Sequence, residues 1–96
     1  MKYTNIGDKM DELQELLTIT MEECGELIQA CSKAIRCDDY YMNEKLIEEA
    51  GDVYAMLQLL QQYDLVSWKE MDDRSVVKIK KLKKWSNLEC FTDDGL

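Results

Sequence analysis

Hydrophobic residues recur every three or four positions along the chain, the spacing of helices with one buried side. From about residue 8 to residue 36, this first stripe consists of Leu13, Leu17, Thr20, Cys24, Leu27, Cys31 and Ile35. From about residue 43 to residue 63, the second consists of Leu46, Ala50, Val53, Tyr54, Leu57 and Leu60. We therefore predict two long helices whose buried sides are these stripes.

A third helix is predicted over residues 68–85, because Ser67 and Glu70 have the spacing of a capping box. Asp8 is placed to cap the first helix in a similar way. The chain has no proline and only four glycines, which permits long uninterrupted helices. Residues 87–96 look like a short, poorly ordered tail. The predicted fold is all-α, with three helices in a single domain spanning residues 1–96.

The short length of the chain also predicts self-association. Its 96 residues, 46% of them hydrophobic, leave no room for a second core. Chains of this size often complete their core by pairing with copies of themselves. We therefore expect a homo-oligomer.

Acidic residues form one cluster on each of the first two predicted helices. Helical spacing places Glu22, Glu23 and Glu26 on one side of the first helix. Apolar residues lie one turn before and one turn after them, so the acids interrupt a second apolar strip. Glu49 and Asp52 form a similar cluster on the second helix. If these helices pack antiparallel, as a short connection favours, the two clusters converge.

Converging carboxylates indicate a bound cation, because desolvated like charges either take up protons or bind metal. Oxygen ligands without histidine favour a hard metal, Mg²⁺ with Mn²⁺ as a substitute. The chain has no histidine, which excludes a di-iron centre built on Glu-x-x-His pairs. The four cysteines lack zinc-site spacing, and we expect Cys24 and Cys31 to lie in the core. The alternative is that both acidic clusters are ordinary exposed helix surface.

The lysines suggest a polyanion as the second ligand. The net charge of −8 argues against a nucleic-acid binder, but lysines are concentrated after residue 77. Lys45 lies one turn before Glu49, while Lys78 and Lys81 share a strip of the third helix with Arg74. These lysines are candidates for phosphate binding. The alternatives are salt bridges and, for the lysine-rich segment, a solvated helix face.

The acidic residues resemble the signature of a known family. Glu22, Glu23 and Glu26, followed by Glu49 and Asp52, look like the Glu-Glu-x-x-Glu and Glu-x-x-Asp motifs of the MazG-like all-α nucleoside triphosphate pyrophosphohydrolases. The resemblance extends to the small and apolar neighbours of both motifs and covers about residues 13–85. Family members also resemble this chain in having a lysine at the position of Lys45.

The resemblance implies four-helix-bundle modules built by homodimerisation, as a dimer or a dimer of dimers. It also implies Mg²⁺-dependent cleavage of a nucleoside or deoxynucleoside triphosphate between the α and β phosphates, for control of the nucleotide pool. Glu23, Glu26, Glu49 and Asp52 would be metal ligands. Glu22 would be a further ligand or would orient the attacking water, so that Glu22 and Glu23 are the expected catalytic residues. The alternative is a catalytically silent helical dimer with a binding or regulatory role.

The location of the protein and the base it prefers are less constrained. The chain opens with no secretory leader, and no apolar stretch approaches the roughly 20 residues of a membrane span. A cytoplasmic protein without membrane or nucleic-acid partners is therefore expected. Several aromatic residues could stack on a base, but the sequence does not select among them.

Overall fold

The computed structural model describes residues 9–91, with side chains described from residue 11 onward. It contains three α-helices, α1 (Lys9–Cys37), α2 (Glu44–Gln62) and α3 (Trp68–Trp85), and no strand in that part of the chain. The predicted all-α class and the three helices are confirmed. Asp8, predicted to cap α1, and the last residues of the predicted tail lie outside the described residues. Residues 86–91 contain no helix.

Side-chain caps fix the beginnings of α2 and α3. The Asn43 side chain accepts a hydrogen bond from the backbone N–H of Leu46 at 3.1 Å. The Ser67 hydroxyl oxygen accepts one from the N–H of Glu70 at 3.1 Å, and the hydroxyl donates to the Glu70 carboxylate at 3.2 Å. Each cap satisfies a backbone donor that has no partner inside its helix. The predicted helix start at Ser67 is therefore confirmed.

Aspartates in left-handed conformations end the first two helices. Asp38 has φ 52° and Asp64 has φ 61°, values that short polar side chains tolerate better than most. The next residue in each case donates its N–H back into the helix, from Asp39 to Ala34 and from Leu65 to Leu60, both at 3.0 Å. This is the Schellman arrangement. It turns the chain sharply after α1 and again after α2.

The helices α1 and α2 form an antiparallel hairpin. Near its open end, Leu16 of α1 packs in a buried cluster with Met56 and Leu60 of α2. Near the connecting loop, the buried residues of α1 are Ala30 and Ala34. Among the described helices, only this pair packs along its length. None of these helices is both long and apolar enough to cross a membrane.

The third helix leaves the hairpin at the turn after α2. Its first residue, Trp68, meets Tyr54 of α2 with ring centroids 6.2 Å apart. Val66, just before α3, packs against the buried cluster. No residue of α3 is buried, so the remainder of this helix adds little to the core of the single chain.

The structure corrects the predicted buried stripes. In the single chain Leu17, Cys24, Cys31 and Ile35 of α1 and Ala50 and Tyr54 of α2 are all exposed. The placement of Cys24 and Cys31 in the core is therefore wrong for the isolated chain. Leu60 is buried as predicted, but the other buried residues belong to the strips that carry the acids. Both α1 and α2 have two apolar strips. When the two helices pair, only one strip of each is buried.

Candidate functional site

Three carboxylates from the two helices converge halfway along the hairpin. Glu23 of α1 meets Glu49 and Asp52 of α2, with one oxygen of each lying within 4.8 Å of the others. Antiparallel packing produces this arrangement, because it sets the middle of α1 against the first half of α2. We call these three residues the acid cluster. It combines three of the five acids singled out from the sequence.

The other two predicted acids lie beside the cluster on α1. Glu22 is half-buried and Glu26 is exposed, and neither supplies an oxygen to the group within 4.8 Å. Both contribute negative charge at Glu23. The structure therefore places Glu22 and Glu26 beside the acid cluster rather than in it.

Glu49 is the buried member of the cluster, with only 3% of its surface exposed. Its carboxylate pairs with the Lys45 ammonium at 3.4 Å, and Lys45 also lies 3.5 Å from the carboxylate of Glu48. Glu48 and then Glu49 raise the pKa of Lys45, because each negative charge favours the ammonium form. The Lys45 side chain remains 59% exposed. The structure therefore shows the salt-bridging alternative for this lysine.

The carboxyl group of Glu23 is repelled by four neighbouring carboxylates. Its pKa is raised above the ordinary value of 4.5, first by partial burial and then by the negative charge of nearby carboxylates. Those carboxylates, in decreasing order of effect, are Asp52, Glu49, Glu26 and Glu22. A carboxyl in such surroundings is stabilised either by a proton or by a cation.

The two lysines predicted on α3 are not brought to the acid cluster. Lys78 and Lys81 line an open cavity of about 400 Å³ with Leu82 and Trp85, all on α3. Within residues 11–91, no hydrogen bond or ion pair joins either lysine to an acid of α1 or α2. The prediction that these two lysines join the acids in one site is therefore not met within the part of the chain that the structure describes.

A mostly apolar cavity beside the acid cluster was not predicted. It measures about 420 Å³ and opens between the helices toward the free end of the hairpin. Ile19 lies one turn before Glu23 and Met56 one turn after Asp52, so the cavity adjoins the cluster. Its lining is Glu12, Glu15, Leu16, Ile19, Met56, Leu59 and Tyr63. The four-residue spacing of Leu59 and Tyr63 on the acid-bearing strip was the available sequence signal.

Comparison of the chain with family models, curated proteins and solved structures found no match. The resemblance to the MazG-like enzymes therefore rests on the motif residues themselves. Its implications for activity remain predictions, which the geometry of the acid cluster allows to be stated concretely.

Proposed function

We propose that the protein is a Mg²⁺-dependent nucleoside triphosphate pyrophosphohydrolase. The observation that carries this proposal is the convergence of Glu23, Glu49 and Asp52 from two helices onto one spot. One of these carboxylates is buried and another has a raised pKa. A divalent cation compensates the repulsion within such a group better than the single ammonium of Lys45 does.

The cluster suits a small hard cation. All three ligands are carboxylate oxygens, the donors that Mg²⁺ and Mn²⁺ prefer. Two oxygens bound to one Mg²⁺ lie at most about 4.2 Å apart, given metal–oxygen distances of 2.0–2.1 Å. At most one pair among three such oxygens can be trans, and the other pairs lie about 2.9 Å apart. The present separation, within 4.8 Å, would therefore have to shorten through side-chain movement when the cation binds. When bound, the ion would neutralise phosphate charge and lower the pKa of a coordinated water.

The remaining acids would act on the water and its proton. Attack of water oxygen on the α phosphorus forms one P–O bond, and the bond to the oxygen that bridges to the β phosphorus breaks. The electron pair of that bond leaves with pyrophosphate, and the monophosphate keeps the new oxygen. Glu22 would orient the water and accept its proton, or would serve as a further ligand, while Glu26 would be an additional ligand for the cation.

The lysines and the cavity would bind the parts of the substrate that the acids do not bind. Lys45 is exposed enough to pair with a phosphate as well as with Glu49. The cavity between Ile19, Leu59 and Tyr63 offers an apolar wall beside the acids, suited to a base or sugar. Lys78 and Lys81 would meet the β and γ phosphates only in a homo-oligomer or after movement of α3. The implied dimer or dimer of dimers therefore belongs to the same proposal.

The test is to incubate the full chain with each ribo- and deoxynucleoside triphosphate and Mg²⁺, and to resolve the products. We expect monophosphate and pyrophosphate, with turnover lost in Glu49→Gln and Asp52→Asn. Asp72→Asn is the matched control, because Asp72 is an exposed aspartate on α3. Diphosphate and orthophosphate as products would contradict the proposal.

Oxygen-18 water identifies the phosphorus that is attacked. Attack at the α position places the label in the monophosphate, whereas attack at the β position places it in pyrophosphate. A melting temperature raised by Mg²⁺ in the wild type, but not in Asp52→Asn, would establish cation binding separately from turnover.

The second candidate is a catalytically silent helical dimer. The observation in its favour is the Lys45–Glu49 ion pair, which partly neutralises the acids without a metal. This candidate predicts no turnover with any nucleotide at saturating Mg²⁺ and no change in melting temperature on adding the metal. The two measurements above therefore separate the candidates.

A further inference from the structure

The cavity between Ile19, Leu59 and Tyr63 carries two carboxylates toward the free end of the hairpin. We call it the open-end cavity. Glu15 lies one turn before Ile19 on α1 and Glu12 lies nearly one turn further out, and both line the space of about 420 Å³. Glu15 is half-buried, whereas Glu12 is exposed. Among the described residues that line this cavity, none is a lysine or an arginine.

The fold leaves both of these carboxylates available to a ligand. Within residues 11–91, no ion pair or hydrogen bond is made by the side chain of Glu12 or Glu15. Neither belongs to the acid cluster, which lies about two turns further along α1. Glu15 is eight residues from Glu23, a distance of about 12 Å along the helix axis. The two acids therefore mark a part of the groove that is separate from the proposed cation site.

The open-end cavity has the size and the walls that suit a base. Its volume lies within the range of about 300–1,000 Å³ that is typical of small-molecule sites. Leu16, Ile19 and Met56 supply apolar walls, and the ring of Tyr63 lines the same space. Aromatic rings and bases stack well on each other. Because Ile19 and Met56 separate Glu15 from the acid cluster, the far edge of a base would meet Glu15.

A second cavity at the loop end of the hairpin gives the bound substrate a direction. It measures about 190 Å³ and is lined by Lys33 and Lys45. Asp39 is the single acid among its described lining residues, and that carboxylate accepts a hydrogen bond from the Asn43 amide at 3.3 Å. Lys45 also contacts Glu49, so this cavity adjoins the acid cluster on the side away from the open-end cavity. A triphosphate would extend toward these lysines, because carboxylates repel it and ammonium groups attract it.

Hydrogen-bond chemistry decides which bases suit the open-end cavity. An ionised carboxylate accepts hydrogen bonds and donates none. Cytosine, adenine and guanine each carry an exocyclic amino group that donates. Uracil and thymine have carbonyl oxygens instead, and their one ring N–H lies between two of them, so a carboxylate there meets oxygen lone pairs on both sides. The Tyr63 hydroxyl both donates and accepts, so it does not discriminate between these bases.

We propose that the open-end cavity binds the base of the substrate and that the Glu15 carboxylate selects bases with an exocyclic amino group. Glu15 is the specificity-determining residue, and Glu12 is a second acceptor nearer the solvent. The preferred bases are cytosine, adenine or guanine, and uracil and thymine are disfavoured. The proposal rests on the proposed function, because a cation at the acid cluster would hold the phosphates of the same nucleotide.

Pairs of nucleotides that differ in one amino group test the selection. Guanosine and inosine triphosphate differ only in the 2-amino group, and adenosine and purine riboside triphosphate differ only in the 6-amino group. Cytidine and uridine triphosphate form a third pair. With the full chain and Mg²⁺, we expect the most rapidly hydrolysed nucleotide to carry an amino group. The partner that lacks this group should have a kcat/KM at least about tenfold lower, as for the loss of one hydrogen bond to a charged group.

Glu15→Gln tests the residue that makes the selection. The amide of glutamine has donors as well as an acceptor, so it can meet a carbonyl oxygen as well as an amino group. We expect the ratio of kcat/KM between the two members of a pair to fall toward one. A purely structural effect of the substitution would lower both members equally and leave this ratio unchanged.

Glu89→Gln is the matched control for Glu15→Gln. It makes the same chemical change and the same change in net charge at an exposed position after α3, outside both cavities. We expect it to keep the wild-type ratio of kcat/KM in every pair. Circular dichroism of both variants shows whether the helices persist.

Equilibrium binding separates failure of this inference from failure of the proposed function. If no triphosphate is hydrolysed, the hydrolase proposal fails, and calorimetric titration with the same triphosphates and Mg²⁺ then measures Kd without turnover. A Kd about tenfold lower for the amino member of a pair, with the difference lost in Glu15→Gln, would support the selection of bases. Equal Kd values within each pair, or no binding of any nucleotide, would overturn it.

Three results with an active enzyme would overturn the inference and leave the proposed function intact. Equal kcat/KM for both members of every pair would mean that the amino group is not recognised. A preference that survives unchanged in Glu15→Gln would place its recognition elsewhere. Uridine or thymidine triphosphate as the best substrate would reverse the expected selection.

Discussion

The ammonium of Lys45 lies 3.4 Å from a carboxylate oxygen of Glu49, joining a side chain that faces solvent to one that is buried. The two residues are four apart on α2, so their contact needs no other element. A buried carboxylate is costly without a partner, and the ammonium of Lys45 is a partner for the Glu49 carboxylate.

Replacing Lys45 with methionine should destabilise the metal-free protein. The change keeps the length of the apolar stem but removes the charge, which leaves the buried Glu49 carboxylate without its ammonium. We expect a lower melting temperature at pH 7 in the presence of a chelator. Added Mg²⁺ should restore part of the loss, because a cation at the acid cluster replaces the missing positive charge.

Lys69→Met is the matched control for this prediction. Lys69 and Asp73 are closer, at 2.9 Å, but both side chains are mostly exposed. Exposed pairs contribute only about 0–1 kcal/mol, so this variant should melt close to the wild type. The raised pKa of Lys45 means that its ion pairs stabilise the fold below the ordinary value of 10.5. That stabilisation should disappear only as the pH rises through the folded-state pKa. Equal melting temperatures for the two variants at pH 7 would contradict this account.

Replacing Glu23 with glutamine should have the opposite effect on the metal-free protein. Glu23 has a raised pKa in the folded chain, so its ionised form is less favourable there than in the unfolded chain. At neutral pH the neutral amide should therefore raise the melting temperature. The difference from the wild type should shrink as the pH falls through the raised pKa of Glu23 and vanish below about 4.5, where both states are protonated.

Glu89→Gln controls for the change in net charge, since Glu89 is exposed and follows α3. It should change the melting temperature less than Glu23→Gln at pH 7. With Mg²⁺ added, Glu23→Gln should have the lower melting temperature of the two variants, because it loses one of the proposed ligands. A Glu23→Gln variant that gains as much stability from Mg²⁺ as the wild type would remove Glu23 from the ligand set.

The α3 lysines should affect substrate binding rather than folding. If Lys78 and Lys81 meet the β and γ phosphates, the double change to glutamine should raise KM for a nucleoside triphosphate by about tenfold or more. Lys80→Gln is the control, because Lys80 points to another side of the same helix and is exposed. Steady-state kinetics should be measured for the wild type, the double variant and Lys80→Gln, and their KM values compared. An unchanged KM in the double variant would restrict phosphate binding to Lys45 and the metal.

Loss of either observed N-cap should destabilise the fold measurably. Asn43→Ala and Ser67→Ala each remove the acceptor of a backbone N–H at 3.1 Å, at a cost of about 1 kcal/mol. Ser75→Ala is a suitable comparison. Its hydroxyl donates to the Asp72 carbonyl inside α3, and alanine is the better helix former there. Urea unfolding should therefore leave Ser75→Ala near or above the wild type and place the two cap variants below it.

Much of the fold could be predicted because its signals are local. The hydrophobic period, the spacing of Ser67 and Glu70 and the lack of proline act within a few residues of each other. They located all three helices to within two residues at each end among the described positions. The convergence of Glu23 with Glu49 and Asp52 needed only one further step, the antiparallel packing favoured by a short loop.

The choice between two apolar strips could not be made from the period alone. Leu16, Ala30 and Ala34 define one strip of α1, and Leu17, Ile28 and Ile35 define another. Both have helical spacing, and which one faces α2 depends on packing between helices. The richer strip was predicted to be buried, but the hairpin buries the one with the acids. The apolar cavity at Leu59 and Tyr63 was missed for the same reason, since it exists only once the helices are paired.

The buried line of α1 changes in size along the hairpin, from Ala34 and Ala30 near the loop to Leu16 near the open end. Small residues allow two helix axes to approach, whereas large ones hold them apart. We therefore expect the helix axes to lie closer together near the loop than near the open end, with Glu23 between the two parts. On that expectation, the methyl groups of the two alanines help to set the gap across which the Glu23 carboxylate meets those of α2. Replacing Ala30 or Ala34 with a larger residue would therefore change which cation fits between the acids.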